Sequence, residues 1–240
     1  DQTAMLKMLR PLLARGLDPL AGALARTPIT PNAITVTGTV GVAAGALWLF
    51  PTGHLFAGTL VCWFFVMADM LDGALARVKG TTGVFGAFLD STLDRVADAS
   101  VFAGIAAYYV FGGHSRLLAG LAVFCLVSGA LVSYAKARAE GLGLRCDVGL
   151  AERSERMVIA LVATGLSGLG VPYVLSAGLW LLAVASTFTF GQRVLAVREE
   201  AAAAGPAAGP PGARPAAPAA GATPAAGAAG ADSGGNEWPD

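Results

Sequence analysis

Six apolar stretches, roughly 33–51, 55–77, 84–111, 116–138, 156–171 and 173–195, follow one another along the chain. Most reach the ~20 residues that a helix needs to cross a bilayer, and the fifth is the shortest. The breaks between them carry turn chemistry: Pro51-Thr52-Gly53-His54, the stretch from Lys79 to Gly83, Gly112 to Ser115, a long polar segment from Ala139 to Glu155, and Gly168 to Pro172. The pattern predicts an all-α integral membrane protein of six transmembrane helices. Ahead of them, Met5, Leu9, Leu13, Leu17 and Leu20 recur at helical spacing opposite Lys7, Arg10 and Arg15, which predicts an amphipathic helix lying in the membrane interface. Residues 201–240 are almost wholly Ala, Gly and Pro and predict a disordered tail. The organisation is therefore a juxtamembrane amphipathic helix and linker over 1–31, a six-helix transmembrane domain over 32–200 and the tail.

Composition narrows the class. With 55% hydrophobic and 13% charged residues, the chain lies far from the roughly 25% charge of a soluble enzyme. Sixteen basic residues balance sixteen acidic ones, which gives no surface for nucleic acid. Cys62, Cys125 and Cys146 are odd in number and widely spaced, so they are read as reduced packing residues. No cleavable signal peptide is visible, because charges interrupt the first apolar run. Basic residues gather before the first span, after the second, between the fourth and fifth and after the sixth, while the opposite loops hold only Arg116. The positive-inside rule then predicts a multi-pass protein of the cell membrane with both termini in the cytoplasm.

The second and third stretches contain acids that such spans should lack: Asp69, Asp72, Asp90, Asp94 and Asp98. Each costs about 2.5–3.5 kcal/mol at mid-membrane even on a lenient insertion scale. Asp69 and Asp72 are i, i+3 neighbours and Asp90 and Asp94 are i, i+4 neighbours, so each pair projects from one helix face. The short loop between the two spans makes them expected antiparallel partners, with four carboxylates converging in their cytoplasmic halves. Like charges at that density protonate or bind cations. All-oxygen ligands suit one or two Mg²⁺ or Mn²⁺ ions, and a cation pathway in a non-enzymatic carrier is the other reading of the spacing. Gly73 and Gly86 leave room beside the acids for a phosphate-bearing ligand, whereas Gly41 and Gly45 are assigned to helix packing.

Residues 69–94 read D-M-L-D-G-A-L-A-R-x8-G-A-F-L-D-S-T-L-D, which resembles the signature D-x2-D-G-x2-A-R-x8-G-x3-D-x3-D of the CDP-alcohol phosphotransferases. The six spans, the preceding surface helix and the Thr30-Pro31-Asn32-Ala33-Ile34-Thr35 entry to the first span are similar to that family from about residue 3 to residue 198. The resemblance implies two metal ions held by Asp69, Asp72, Asp90 and Asp94, and a CDP-linked lipid donor. It places the nucleotide and its diphosphate against Asn32, Ala33, Ile34, Thr35, Gly73 and Arg77. Asp94 would be the proton acceptor, and pairing into a homodimer is also implied. His54 and His114, the only histidines, fall in loops on the opposite side of the membrane and are excluded as bases. Asp98, one turn deeper and outside the motif, is assigned to structure.

Ser133, Lys136 and Arg138 at the end of the fourth span, Arg153 and Arg156 at the start of the fifth and Arg193 at the inner end of the sixth stand at the membrane level of the aspartates. Each alone fits positive-inside charge. Converging on a metal site they suit a phosphate, which guanidinium groups bind bidentately. A phosphorylated acceptor is therefore expected in preference to choline, whose ammonium calls for aromatic or acidic groups. The S-Y-x-K-A-R-A-E and A-E-R-x-E-R stretches resemble those of the phosphatidylinositol phosphate synthases, which implies CDP-diacylglycerol as donor and inositol 1-phosphate as acceptor, with CMP released. Phosphatidylglycerophosphate synthesis from glycerol 3-phosphate is the alternative.

Overall fold

A computed structural model describes residues 22, 25–81, 83–112, 115–149 and 152–204, the side chains at 70, 72 and 204 excepted. The amphipathic stretch read over residues 5–20 and the tail beyond 204 lie outside that description. The described residues hold six long helices: α1 (Pro31–Ala44), α2 (Leu55–Lys79), α3 (Val84–Phe111), α4 (Arg116–Gly141), α5 (Arg153–Gly168) and α6 (Val174–Ala204). A wider π-type turn, Gly45–Leu49, extends α1. The helices fall where the six apolar stretches predict them, and α6 runs past the boundary expected near residue 200.

Local chemistry sets their ends. Thr30 caps α1 by accepting a hydrogen bond from the Ala33 amide (3.2 Å), and Pro31 supplies the fixed φ of a first helical residue. Gly80, at φ +64°, closes α2 in a left-handed cap after Arg77 and Lys79, whose charges favour a helix C-terminus. Ser115 caps α4 by accepting from the Leu118 amide, and Glu152 with Glu155 forms a capping box on α5.

Four helices are long and apolar enough to span a membrane by themselves: Pro31–Leu49, Leu55–Lys79, Arg116–Gly141 and the residues 174–203 of α6. The sequence predicts six spans, but α3 carries Asp90, Asp94, Arg95 and Asp98, and α5 has 16 residues with Arg153, Glu155 and Arg156 in its first turn. Several of these charges pair with one another, Arg153 with Asp94 and Asp98 and Arg156 with Asp98. Arg156 and Arg193 are buried at 3% and 5% exposure, whereas Val40, Trp48, Phe64, Val123, Val184 and many other large apolar side chains are exposed. That distribution is expected of a protein whose solvent is lipid.

The helix pairs close a ring in the order α1, α2, α5, α6, α4, α3 and back to α1. This corrects one expectation: α2 and α3, joined by a short loop, are not each other's main packing partners, because α1 stands between them. Glycines make the approach possible. A Cβ on Gly41 would lie 2.4 Å from the Phe65 ring and one on Gly45 would lie 2.8 Å from Val61, both across the α1–α2 contact. On the other flank, a Cβ on Gly104 of α3 would lie 2.4 Å from the Ala46 carbonyl oxygen. These are the close contacts that small residues permit between membrane helices. Cys62, Cys125 and Cys146 are free and buried.

Candidate active site

Because α1 holds α2 and α3 apart along most of their length, a cleft remains between them at the end where the aspartates lie. Asp69 of α2 and Asp90 and Asp94 of α3 bring one carboxylate oxygen each to within 4.8 Å of one another. Asp72 belongs to the same turn of α2, and its side chain lies outside the described residues. A Cβ on Gly38 of α1 would stand 3.4 Å from Asp69 Oδ1, so α1 forms the floor of the cluster. Three carboxylates from two helices, with half-buried Asp69 and Asp94 and exposed Asp90, are an all-oxygen donor set open on one side. That set fits a hard divalent cation such as Mg²⁺ or Mn²⁺ that keeps coordination positions for substrate.

Two cavities meet at this cluster. The smaller, about 210 Å³, is lined by Pro31, Asn32 and Thr35 of α1, Gly73 and Ala76 of α2, and Gly86 and Asp90 of α3, among others. Both motif glycines face it with little in the way: a Cβ on Gly86 would come to 3.7 Å from Asn32 Oδ1 and one on Gly73 to 3.7 Å from an Arg77 guanidinium nitrogen. Of the residues the resemblance assigns to the nucleotide, Asn32, Thr35 and Gly73 line this space and Arg77 stands at its edge. Ala33 is exposed and Ile34 half-buried in the same first turn of α1, and neither lines it.

The larger cavity, about 570 Å³, lies on the other side of Asp90, where Asp94 contributes to its wall. It collects Ser133, Lys136, Arg153, Arg156 and Arg193 from α4, α5 and α6, which the sequence separates by up to 60 positions. Arg138 is exposed and is absent from that lining, because it points from another face of α4. Each cation is anchored. Arg153 pairs with Asp94 Oδ1 at 2.8 Å and with Asp98 Oδ1 at 3.1 Å, Arg156 reaches Asp98 Oδ2 at 3.5 Å, and Lys136 pairs with Asp147 at 3.0 Å. Arg193 donates to the carbonyls of Val148 and Val132. Gly129 leaves room for Arg156, since a Cβ there would lie 3.2 Å from its Nε.

Sequence reasoning passed over Arg95, which lines the same cavity and approaches Asp94 at 3.9 Å. The available signal was a lone arginine inside a span of acids, since a charge at that depth is functional by default. Asp98 was assigned to structure, and its two arginine partners lie 55 and 58 residues away, beyond any local pattern.

Comparison with known proteins gives one consistent picture. A family model for CDP-alcohol phosphatidyltransferases matches residues 28–191. The phosphatidylinositol phosphate synthase of Streptomyces avermitilis is 48% identical over 205 residues, covering 82% of this chain and 84% of its own. The crystal structure of the Mycobacterium tuberculosis phosphatidylinositol phosphate synthase with CDP-DAG bound superposes with a TM-score of 0.75 at 46% identity, covering 81% of this chain and 96% of its own. The same protein in complex with manganese and citrate gives a TM-score of 0.75, with 80% and 91% covered.

Proposed function

The chain belongs to the CDP-alcohol phosphatidyltransferases, and on that premise we propose that it transfers a phosphatidyl group from CDP-diacylglycerol to a hydroxyl of inositol 1-phosphate, releasing CMP. The observation that carries this reading is the meeting of two chemically different cavities at adjacent turns of α3, one at Asp90 and the other at Asp94. The smaller is open, glycine-lined and flanked by the N-terminus of α1, whose dipole suits a diphosphate. The larger is lined by five cations, which suits an acceptor that carries its own phosphate.

The residues divide the work accordingly. Asn32, Thr35, Gly73 and Arg77 hold the nucleotide and its diphosphate, with Ala33 and Ile34 in the same first turn of α1. Asp69, Asp72, Asp90 and Asp94 hold two divalent ions, which neutralise the diphosphate and stabilise attacking and leaving oxygens. Ser133, Lys136, Arg153, Arg156 and Arg193 hold the acceptor phosphate, while exposed Arg138 serves the cytoplasmic charge of the α4 end. Among the described motif carboxylates, Asp94 alone lines the acceptor cavity, so it accepts the proton of the attacking hydroxyl. The new P–O bond forms at the phosphorus bearing diacylglycerol as the bond to CMP breaks. The basic residues that line the larger cavity, with those before α1 and at the ends of α2 and α6, support an active site and both termini on the cytoplasmic face of the cell membrane.

Substitution separates the two pockets. Arg193→Ala should raise the KM for inositol 1-phosphate about tenfold or more and leave that for CDP-diacylglycerol nearly unchanged, because a lost charged hydrogen bond costs about 1.5–3 kcal/mol. Equal losses for both substrates would refute the assignment of separate sites.

A further inference from the structure

Asp98 lies one turn beyond the signature motif, and its side chain is 13% exposed. It is not a member of the aspartate cluster and lines neither cavity. It is the only described carboxylate that pairs with both arginines of α5: its Oδ1 accepts from Arg153 Nε at 3.1 Å and its Oδ2 stands 3.5 Å from an Arg156 terminal nitrogen. Each oxygen is thus committed to one guanidinium. Arg153 is itself divided, with its Nε edge on Asp98 and a terminal nitrogen 2.8 Å from Asp94.

From this geometry we propose that Asp98 is a positioning residue for the acceptor-phosphate pocket. It fixes Arg153 and Arg156 side by side and keeps Arg153 from closing both of its edges onto Asp94. The proposal rests on the reading of the larger cavity as that pocket. Two guanidiniums three residues apart on one helix, half-buried Arg153 and buried Arg156, repel each other and carry a desolvation cost unless a carboxylate stands between them. Without Asp98, the strongest fixed partner left to Arg153 is Asp94, and a guanidinium prefers to meet a carboxylate with two parallel hydrogen bonds. Such a pair would turn Arg153 away from the acceptor and occupy the carboxylate that the reaction needs. Asp98 splits that fork, so one edge of Arg153 stays structural and the other faces the cavity.

The test uses the full-length protein in detergent, with Asp98→Asn, Asp98→Ala and the charge-retaining Asp98→Glu. Asp98→Asn should raise the KM for inositol 1-phosphate at least tenfold while the KM for CDP-diacylglycerol stays within about twofold, and Asp98→Glu should recover part of the loss. A purely structural role would not split the two constants. An unchanged KM for inositol 1-phosphate in Asp98→Asn, or a parallel rise in both constants, overturns the proposal. Calorimetric titration with inorganic phosphate in the absence of donor separates the two layers of the argument. Binding by the wild type that weakens in Asp98→Asn supports the proposal, and equal binding by both overturns it while leaving the pocket intact. No binding by the wild type removes the anion pocket itself and the proposal with it.

Discussion

At the scale of single residues, the chemistry is concentrated in carboxylates that the membrane would otherwise reject. Asp69 and Asp90 reach the shared cluster from different helices, so neither can replace the other as a ligand. Asp69→Asn or Asp90→Asn should lower the rate of CMP release by about 10²–10⁴-fold in saturating Mg²⁺, and the protein should still insert and purify. Chelation of divalent ions should silence the wild type, and turnover that persists in EDTA would be incompatible with the site described. In the proposed mechanism Asp94 also serves the acceptor side, where it faces Arg153 at 2.8 Å. Asp94→Asn should therefore lose turnover while retaining CDP-diacylglycerol binding better than Asp69→Asn does. Near-normal turnover of that variant with both substrates saturating would assign the proton to another group.

At the scale of helices, glycine positions decide which elements meet. Gly104 of α3 lies against the Ala46 carbonyl at the π-type turn of α1, where an added Cβ would come within 2.4 Å of a backbone oxygen. Gly120 of α4 faces open space. Gly104→Ala should cost about 1–3 kcal/mol through overpacking, read as a lower midpoint of thermal unfolding in detergent, whereas Gly120→Ala should leave the midpoint unchanged or slightly raised. Equal effects of the two changes would contradict the packing described. The helices themselves were legible because apolar runs and turn residues are local signals, as at Thr30-Pro31 and Gly80. Their neighbour order was not. Sequence adjacency paired α2 with α3, and only the fold shows α1 wedged between them on Gly41, Gly45 and Gly104. The role proposed for Asp98 is hidden for the same reason, since its arginine partners come from another helix, while Arg138 is indistinguishable from Lys136 until the faces of α4 are known.

At the scale of the whole molecule, the ring of six helices buries Arg156 and Arg193 and turns large apolar side chains outward, and the two cavities open beside one aspartate cluster. Pairing into a homodimer is proposed from family membership. The small residues of α3 do not by themselves argue for it, since Ala97, Gly104 and Ala106 are buried within the protomer. Chemical cross-linking in bilayers should yield a dimer, and monomers alone in bilayers and in mild detergent would refute it. On the proposed reading, acceptor selection lies in the cationic cavity beside the aspartate cluster. It is tested most directly by offering the purified protein CDP-diacylglycerol, Mg²⁺ and equimolar inositol 1-phosphate and glycerol 3-phosphate, and identifying the lipid product by mass spectrometry. The expected result is phosphatidylinositol phosphate as the dominant product, formed with CMP and absent in EDTA; phosphatidylglycerophosphate as the dominant lipid would contradict the account.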